Sequence, residues 1–385
     1  MSESGPEILI VAGEPSGDRH AADLVQALKQ RHPALRFTGI GGDRMAAEGV
    51  ELLYHIRQMA FLGLAEVIRH LPFIRRVFRH LRQWIKSHRP VAVILVDYPG
   101  FNLKLARLAK KMGIPVVYYI CPQLWAWGER RVEKIRRYVD LPLVIFRFEE
   151  AFYRKHGIVA HFVGHPLVDQ LQQVNGKEAF LKRHSLGKEK PIIALLPGSR
   201  MNEVRQLLPL MVQAKQEFCL SHRYQWVVGM SDAVEESVYR EIVQGEENLR
   251  LIARDTYALM KHAHLAVVAS GTATLETGYL GTPMIVLYRV SPLTYFIGKR
   301  LVKIDQIALA NIVLGKKVVP ELIQQDARAE CIVEWFWSML NDSEYYHKVA
   351  GELKRIPDIL GTPGASRRAA EKIVNFLDLS PQPET

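Results

Sequence analysis

The chain has 385 residues, 48% of them apolar, and carries 51 Lys and Arg against 40 Asp and Glu, a formal charge of +11. This ordinary apolar content excludes a disordered, collagenous or coiled-coil chain, and the length predicts two domains. The scattered Cys121, Cys219 and Cys331 fit neither a disulfide framework nor a cysteine metal site, so a reducing cytoplasm is the expected compartment.

The N-terminal residues have no basic leader, and the first apolar run, Ile8–Ala12, is too short for a signal peptide. No uncharged stretch reaches the roughly 18 apolar residues of a spanning helix, which predicts a soluble or peripheral protein. Short apolar runs then alternate with helical ones. Expected strands are Ile8–Ala12, Phe37–Ile40, Ala92–Asp97, Val116–Cys121, Leu143–Phe146 and His161–Val163. After them come Ile192–Leu196, Gln225–Gly229, Leu249–Ile252, Leu265–Ala269 and Met284–Tyr288. Expected helices include Ala21–Arg31, Leu103–Met112 and Arg131–Tyr138. Continuous rather than alternating apolar runs mark strands buried on both faces, so the fold class is α/β with doubly wound parallel sheets.

The rhythm pauses at the polar stretch 169–190. The reading is therefore a Rossmann-like domain over 1–170, a second over 171–360, and a terminal helix within 361–385, with a cleft between the two domains. In such sheets ligands bind beyond the carboxyl ends of the strands, and four turns there carry candidate chemistry.

The first turn runs through Glu14, Ser16, Gly17 and Asp18 and opens a helix, which favours an anion or simply a capped turn. The second begins with Asp97, placed either as a general base or as a cap for the following helix. The third holds Gly198, Ser199 and Arg200, with backbone N–H groups and a guanidinium suited to phosphate, or else only a surface arginine. The fourth is Ser270, Gly271, Thr272, Ala273, Thr274 and Glu276. Its small residues open a helix whose unpaired N–H groups suit a diphosphate, with Glu276 a candidate for a ribose diol; a plain capping box is the alternative. No DxD, HExxH or P-loop pattern occurs, so no metal and no cofactor is expected.

Positive charge is concentrated. From Tyr54 to Pro90 there are eight basic residues and one acid, a net +7. Apolar residues recur there at helical spacing. Phe61, Leu62, Leu64, Arg69, Phe73, Arg75, Arg76 and Arg79 form the expected membrane-binding face, with Leu81–Ile85 packed inward. No nucleic-acid recognition motif is present, so nucleic acid is not an expected partner.

Taken in order, several tracts resemble the lipid-A-disaccharide synthase family, inverting glycosyltransferases of the GT-B class. They are Gly13–Asp18, Asp97-Tyr98-Pro99 with Phe101-Asn102, Trp125-Ala126-Trp127, and Val163-Gly164-His165-Pro166-Leu167. Leu196–Arg200, Ser270–Glu276, and Asn311-Ile312 with Val319–Leu322 follow. Pro15 stands where many members have Ala.

The resemblance implies a UDP-2,3-diacylglucosamine donor, a 2,3-diacylglucosamine 1-phosphate acceptor, and a β-1,6 disaccharide phosphate as product, made at the cytoplasmic face of an inner membrane. It implies that Asp97 is the base, that Arg200 and the Gly271–Thr274 turn meet the departing UDP, and that Glu276 holds the ribose. Glu14, Ser16, Gly17 and Asp18 would then line the acceptor side, and Asn311 would have a polar role in the site. The terminal helix would cross back to the first half or to a partner subunit, which leaves a homodimer open. Alternatives are another GT-B UDP-sugar enzyme, either an N-acetylglucosaminyl transferase or an epimerase, and a non-enzymatic basic protein that binds membrane or nucleic acid.

Overall fold

The computed structural model describes residues 5–59, 71–127, 131–172, 174, 176–290 and 306–379. The chain divides into two compact units, Met1–Pro166 with Leu360–Thr385, and Leu167–Ile359. Each is built on one parallel sheet.

The first unit holds β1 (Glu7–Ala12), β2 (Arg36–Gly41), β3 (Glu51–His55), β4 (Ala92–Val96), β5 (Val116–Tyr119), β6 (Leu141–Val144) and β7 (His161–Phe162), in spatial order β3-β2-β1-β4-β5-β6-β7. The second holds β8 (Ile192–Leu196), β9 (Gln225–Gly229), β10 (Leu249–Ile252), β11 (Leu265–Ala269), β12 (Met284–Tyr288) and β13 (Glu321–Ile323), in order β10-β9-β8-β11-β12-β13. Every strand pair is parallel.

The central strands are apolar throughout because helices cover both faces. Ile8–Ala12 and all of β4 are fully buried, and each such Val, Leu or Ile contributes about 1.5–3 kcal/mol of burial. Strands β3 and β13 were not expected from the sequence, and both are sheet edges. β3 is half-exposed and β13 has three residues, so neither shows the apolar run by which central strands are recognised. Asp97, expected as the last strand residue, lies one position beyond β4.

Polar stretch 169–190 is not a bare linker. Its Lys177–Arg183 helix buries Phe180 and Leu181, and it belongs wholly to the second unit. At the other end, the terminal helix expected within 361–385 spans Ala365–Phe376. Gly361 and Gly364 have left-handed φ values of 86° and 92°, which a helix cannot continue through. The helix buries Ala365, Ala369, Ala370, Ile373 and Val374 and packs on the Pro15–Arg31 helix of the first unit.

In the basic segment, a helix over Leu71–His88 buries Val77, Leu81, Trp84 and Ile85, an i, i+4, i+7, i+8 stripe. Arg75, Arg76, Arg79, Arg82 and Lys86 are exposed on its other faces. Phe73, expected to face lipid, is instead half-buried edge-on against Tyr54, with ring centroids 6.0 Å apart. Phe61, Leu62, Leu64 and Arg69 lie outside the described residues. Among the described residues no helix is long and apolar enough to cross a membrane.

Candidate active site

In the first unit the chain runs outward from β1 to β2 and β3, then returns to place β4 on the other side of β1. The second unit repeats this with β8 and β11. Such reversals leave a crevice at the carboxyl ends of the two strands involved. Register sets Ala12 beside Val96, and Leu196 beside Val268. Each unit therefore brings together two of the four turns singled out in the sequence: Gly13–Asp18 with Asp97–Gly100, and Pro197–Arg200 with Ser270–Glu276.

Asp97 and Tyr98 form an unusual turn in the first unit. Both have left-handed φ, 47° and 49°, although neither is glycine. Such residues cost about 1–2 kcal/mol each. The Asp97 carbonyl accepts from the Tyr118 hydroxyl (2.6 Å) and from Asn102 Nδ2 (2.8 Å), and the same amide reaches the Val96 carbonyl (3.2 Å). Gly13 makes room for Tyr98, since a Cβ there would lie 2.2 Å from its ring. Burial, then the nearby Glu14 carboxylate, raises the Asp97 carboxyl from the usual range to about 6, against a smaller opposing effect of the Tyr98 N–H. Asp97 is thus a carboxylate at neutral pH that accepts a proton more readily than an exposed one.

Glu14 and Ser16 are exposed beside this turn. Asp18, expected with them on the acceptor side, is buried. Its carboxylate caps the Asp43–Ala47 helix, accepting from the N–H groups of Gly42 (2.6 Å), Arg44 (3.2 Å) and Met45 (3.2 Å). That corrects its role to structural, because burial and these three backbone donors commit the carboxylate to the Gly42 turn. Gly17 is also buried.

Burial lowers His20 to about 4 and His165 to about 3, so both imidazoles are neutral at physiological pH and carry no charge for a phosphate. Trp125, from the Trp125-Ala126-Trp127 tract, donates its indole N–H to Glu149 (3.0 Å). Glu149 also caps Ile145 and Phe146 at the start of the Arg147–Lys155 helix, and burial raises its carboxyl to about 7.

In the second unit the expected anion donors are partly occupied. Ser199 N–H and Arg200 N–H both donate to Glu203 Oε2 (3.1 and 3.3 Å), and Arg200 Nη1 donates to Oε1 (3.2 Å). Glu203 stands at the N3 position of the Met201–Glu217 helix, the capping-box spacing by which the sequence could have revealed it. Gly198 is favoured there by its φ of 115°, and an added Cβ would also sit 2.8 Å from Glu203 Cβ. The Arg200 side chain is 70% exposed, so the guanidinium is held by a pair that solvent weakens.

Across the switch point, Gly271 (φ 151°) starts the Thr272–Tyr279 helix, and Thr272 is exposed. Thr274 is fully buried. Its hydroxyl donates to the Gly271 carbonyl (2.8 Å) and accepts from Leu309 N–H (3.0 Å). Its expected contact with a UDP-sugar is corrected to bracing of the turn. Ser270 Oγ likewise donates to the Ile307 carbonyl (3.1 Å). Glu276 is half-buried beside the Tyr257 hydroxyl (3.4 Å), which also reaches Gln170 (3.2 Å).

Asn311 has no side-chain atom left for a substrate. Nδ2 donates to the Val319 carbonyl and to Glu321 Oε1, and Oδ1 accepts from Val318 and Val319 N–H, all within 2.9 Å. It is fully buried. The expected catalytic role is corrected to one of position: Asn311 and Glu321, which also caps Ile307 and Ala308, tie the chain before the Leu309–Leu314 helix to the chain entering β13. Among the described residues no group of three His, Cys, Asp or Glu could hold a metal ion.

A family model described as lipid-A-disaccharide synthetase matches residues 8–369. A lipid-A-disaccharide synthase of Syntrophus aciditrophicus is 44% identical over 379 residues, covering 97% of this chain and 98% of the relative. Among solved structures, UDP-GlcNAc 2-epimerase from Neisseria meningitidis bound to UDP-GlcNAc superposes with a TM-score of 0.65 at 14% identity, covering 96% of this chain and 100% of that one. The glycotransferase of kitacinnamycin gives 0.65 at 18%, covering 97% and 99%. These two likenesses establish the GT-B-like fold of two parallel-sheet units. The match over nearly the full length places this chain in the lipid-A-disaccharide synthetase family.

Proposed function

We propose that this chain joins UDP-2,3-diacylglucosamine to 2,3-diacylglucosamine 1-phosphate, giving the β-1,6 disaccharide 1-phosphate and UDP. The observation that carries the chemistry is Asp97, a half-buried carboxylate at the switch point of the first sheet whose pKa is near 6. It takes the proton of the acceptor's 6-hydroxyl as that oxygen attacks the anomeric carbon from the face opposite UDP, which inverts the centre.

Negative charge grows on the departing diphosphate. Arg200 and the N–H groups opening the Thr272–Tyr279 helix meet it, with Gly198 and Gly271 letting the backbone come close. To do so Arg200 exchanges its Glu203 partner for phosphate. Glu276 holds the ribose diol, and Glu14 and Ser16 line the acceptor side. Each of these steps is carried by the chain's own residues.

The exposed arginines of the Leu71–His88 helix support docking on an anionic bilayer at the cytoplasmic face of the inner membrane, where acylated substrates reside. Replacing Arg75, Arg76 and Arg79 by Ser removes about 1 kcal/mol each and lowers binding to anionic vesicles by roughly 10²-fold. Unchanged binding would place the membrane surface elsewhere.

The test of the reaction is product analysis with the two diacylated substrates, which should yield disaccharide phosphate and UDP. Epimerisation of a non-acylated UDP-N-acetylglucosamine, with no disaccharide formed, would favour the epimerase alternative suggested by the shared fold.

A further inference from the structure

We propose that Asn102 and Tyr118 are positioning residues for Asp97: by pinning the carbonyls of Val96 and Asp97 they hold the left-handed turn that aims the carboxylate at its substrate. The proposal rests on the reading of Asp97 as the general base.

A parallel strand normally passes each carbonyl to a neighbouring strand. At the end of β4 the Asp97 N–H keeps such a bond, to the Tyr119 carbonyl (3.2 Å). Its own carbonyl does not, and takes two side-chain donors instead: the Tyr118 hydroxyl at 2.6 Å and Asn102 Nδ2 at 2.8 Å. Asn102 Nδ2 also reaches the Val96 carbonyl at 3.2 Å, so one amide bridges the last strand residue and the first residue of the turn.

Both donors are fully buried and come from different elements. Tyr118 lies on β5, paired with Leu95, and Asn102 lies in the first turn of the Pro99–Lys111 helix. Two consecutive non-glycine residues at φ 47° and 49° persist only where surrounding structure over-determines them. Relaxation toward extended backbone would swing the Asp97 Cβ to a new direction, and a misplacement of about 1 Å costs up to ~10²-fold in rate. The groups facing Asp97 are Glu14 after β1, Tyr98 beside it and Tyr118 on β5. A carboxylate freed from this enclosure meets more water, and its pKa falls.

The experiment measures steady-state disaccharide formation, its pH profile and thermal melting for Tyr118→Phe and Asn102→Leu. Tyr118→Phe removes only a hydroxyl, and Asn102→Leu keeps the volume but neither donor. We expect kcat to fall ~10-fold and ~10²-fold respectively. KM for the UDP-sugar should stay within about two-fold, since uniform binding is untouched. The acidic limb of kcat should move below pH 6. Unaltered kcat in folded variants overturns the proposal. So does a lower kcat with an unmoved acidic limb, which is what a merely structural role gives. If Asn102→Leu does not fold, Tyr118→Phe decides alone. Asp97→Asn separates the two layers: full activity in that variant sinks the base reading, whereas an inactive Asp97→Asn beside a fully active Tyr118→Phe sinks only the positioning role.

Discussion

The two switch points have the same topology and opposite chemistry. In the first unit the turn after β4 opens on two non-glycine residues, Asp97 and Tyr98, held left-handed by buried donors, and the Glu14 carboxylate lies beside it. In the second, the turns after β8 and β11 take their positive φ from glycine, at Gly198 and Gly271, and the prominent side chain is an exposed arginine with its own counter-ion, Glu203. One site is half-buried and raises the pKa of a carboxyl. The other is open and offers positive charge. A parallel sheet supplies a crevice; the residues in the two loops decide whether it favours base chemistry or anion binding.

Four measurements can break or sharpen that contrast. The largest effect belongs to the half-buried site. Asp97→Asn should lower kcat by at least ~10²-fold with little change in UDP affinity. Retained turnover in a folded variant would remove the base from the first unit.

Next, Arg200→Ala should cost on the order of 10²-fold in kcat if charge on the leaving group is met there. A raised KM with unchanged kcat would reduce Arg200 to uniform binding.

The third measurement is pH. A base with a pKa near 6 gives kcat/KM that rises with pH up to about 6 and is flat above. Glu14→Gln removes a like charge and should move that limb lower; an unmoved limb would leave burial as the sole cause. Stability follows the same group with the opposite sign. Because folding raises this pKa, the folded state binds more protons between roughly pH 4 and 6, so the ionised carboxyl destabilises the fold above that window. Asp97→Asn should therefore melt higher than the parent at pH 7.5, by ~1–3 kcal/mol, and the gain should vanish near pH 4. Equal melting at both values would mean the carboxyl is well solvated.

The smallest effect tests the open site. Glu203→Gln releases an exposed i, i+3 pair that contributes about 0.3–0.5 kcal/mol, so UDP should bind about two-fold more tightly by calorimetry. A loss of affinity would show that Glu203 shapes the turn more than it competes for Arg200.

How legible all this was from sequence varied with the range of the interactions. Strands β8, β9, β11 and β12 match their expected limits because a doubly buried strand is a local apolar run bounded by turns, and the edge strand β10 matches through its three apolar residues of four. Edge strands β3 and β13 had no such signature. Asp97, Arg200 and the Ser270–Glu276 turn became candidates because chemistry gathers at strand ends, a rule that needs only the order of elements. Which polar residues there face outward was not legible. Asp18, Thr274 and Asn311 are the same residue types as functional ones, yet each is consumed by backbone donors and acceptors as much as 35 positions away.

The charge of +11 shows the same division. Sequence alone located most of it between Tyr54 and Pro90 and gave that segment a helical period. Tertiary packing decided which side of the helix is buried, leaving Arg75, Arg76 and Arg79 exposed and drawing Phe73 onto Tyr54. Composition, element order and the candidate side chains are written in the sequence because they depend on local periodicity and residue chemistry. The tuning of Asp97, the bracing of its turn and the retirement of Asn311 into the scaffold depend on which distant groups the fold brings within hydrogen-bond reach, and only the folded chain sets those distances.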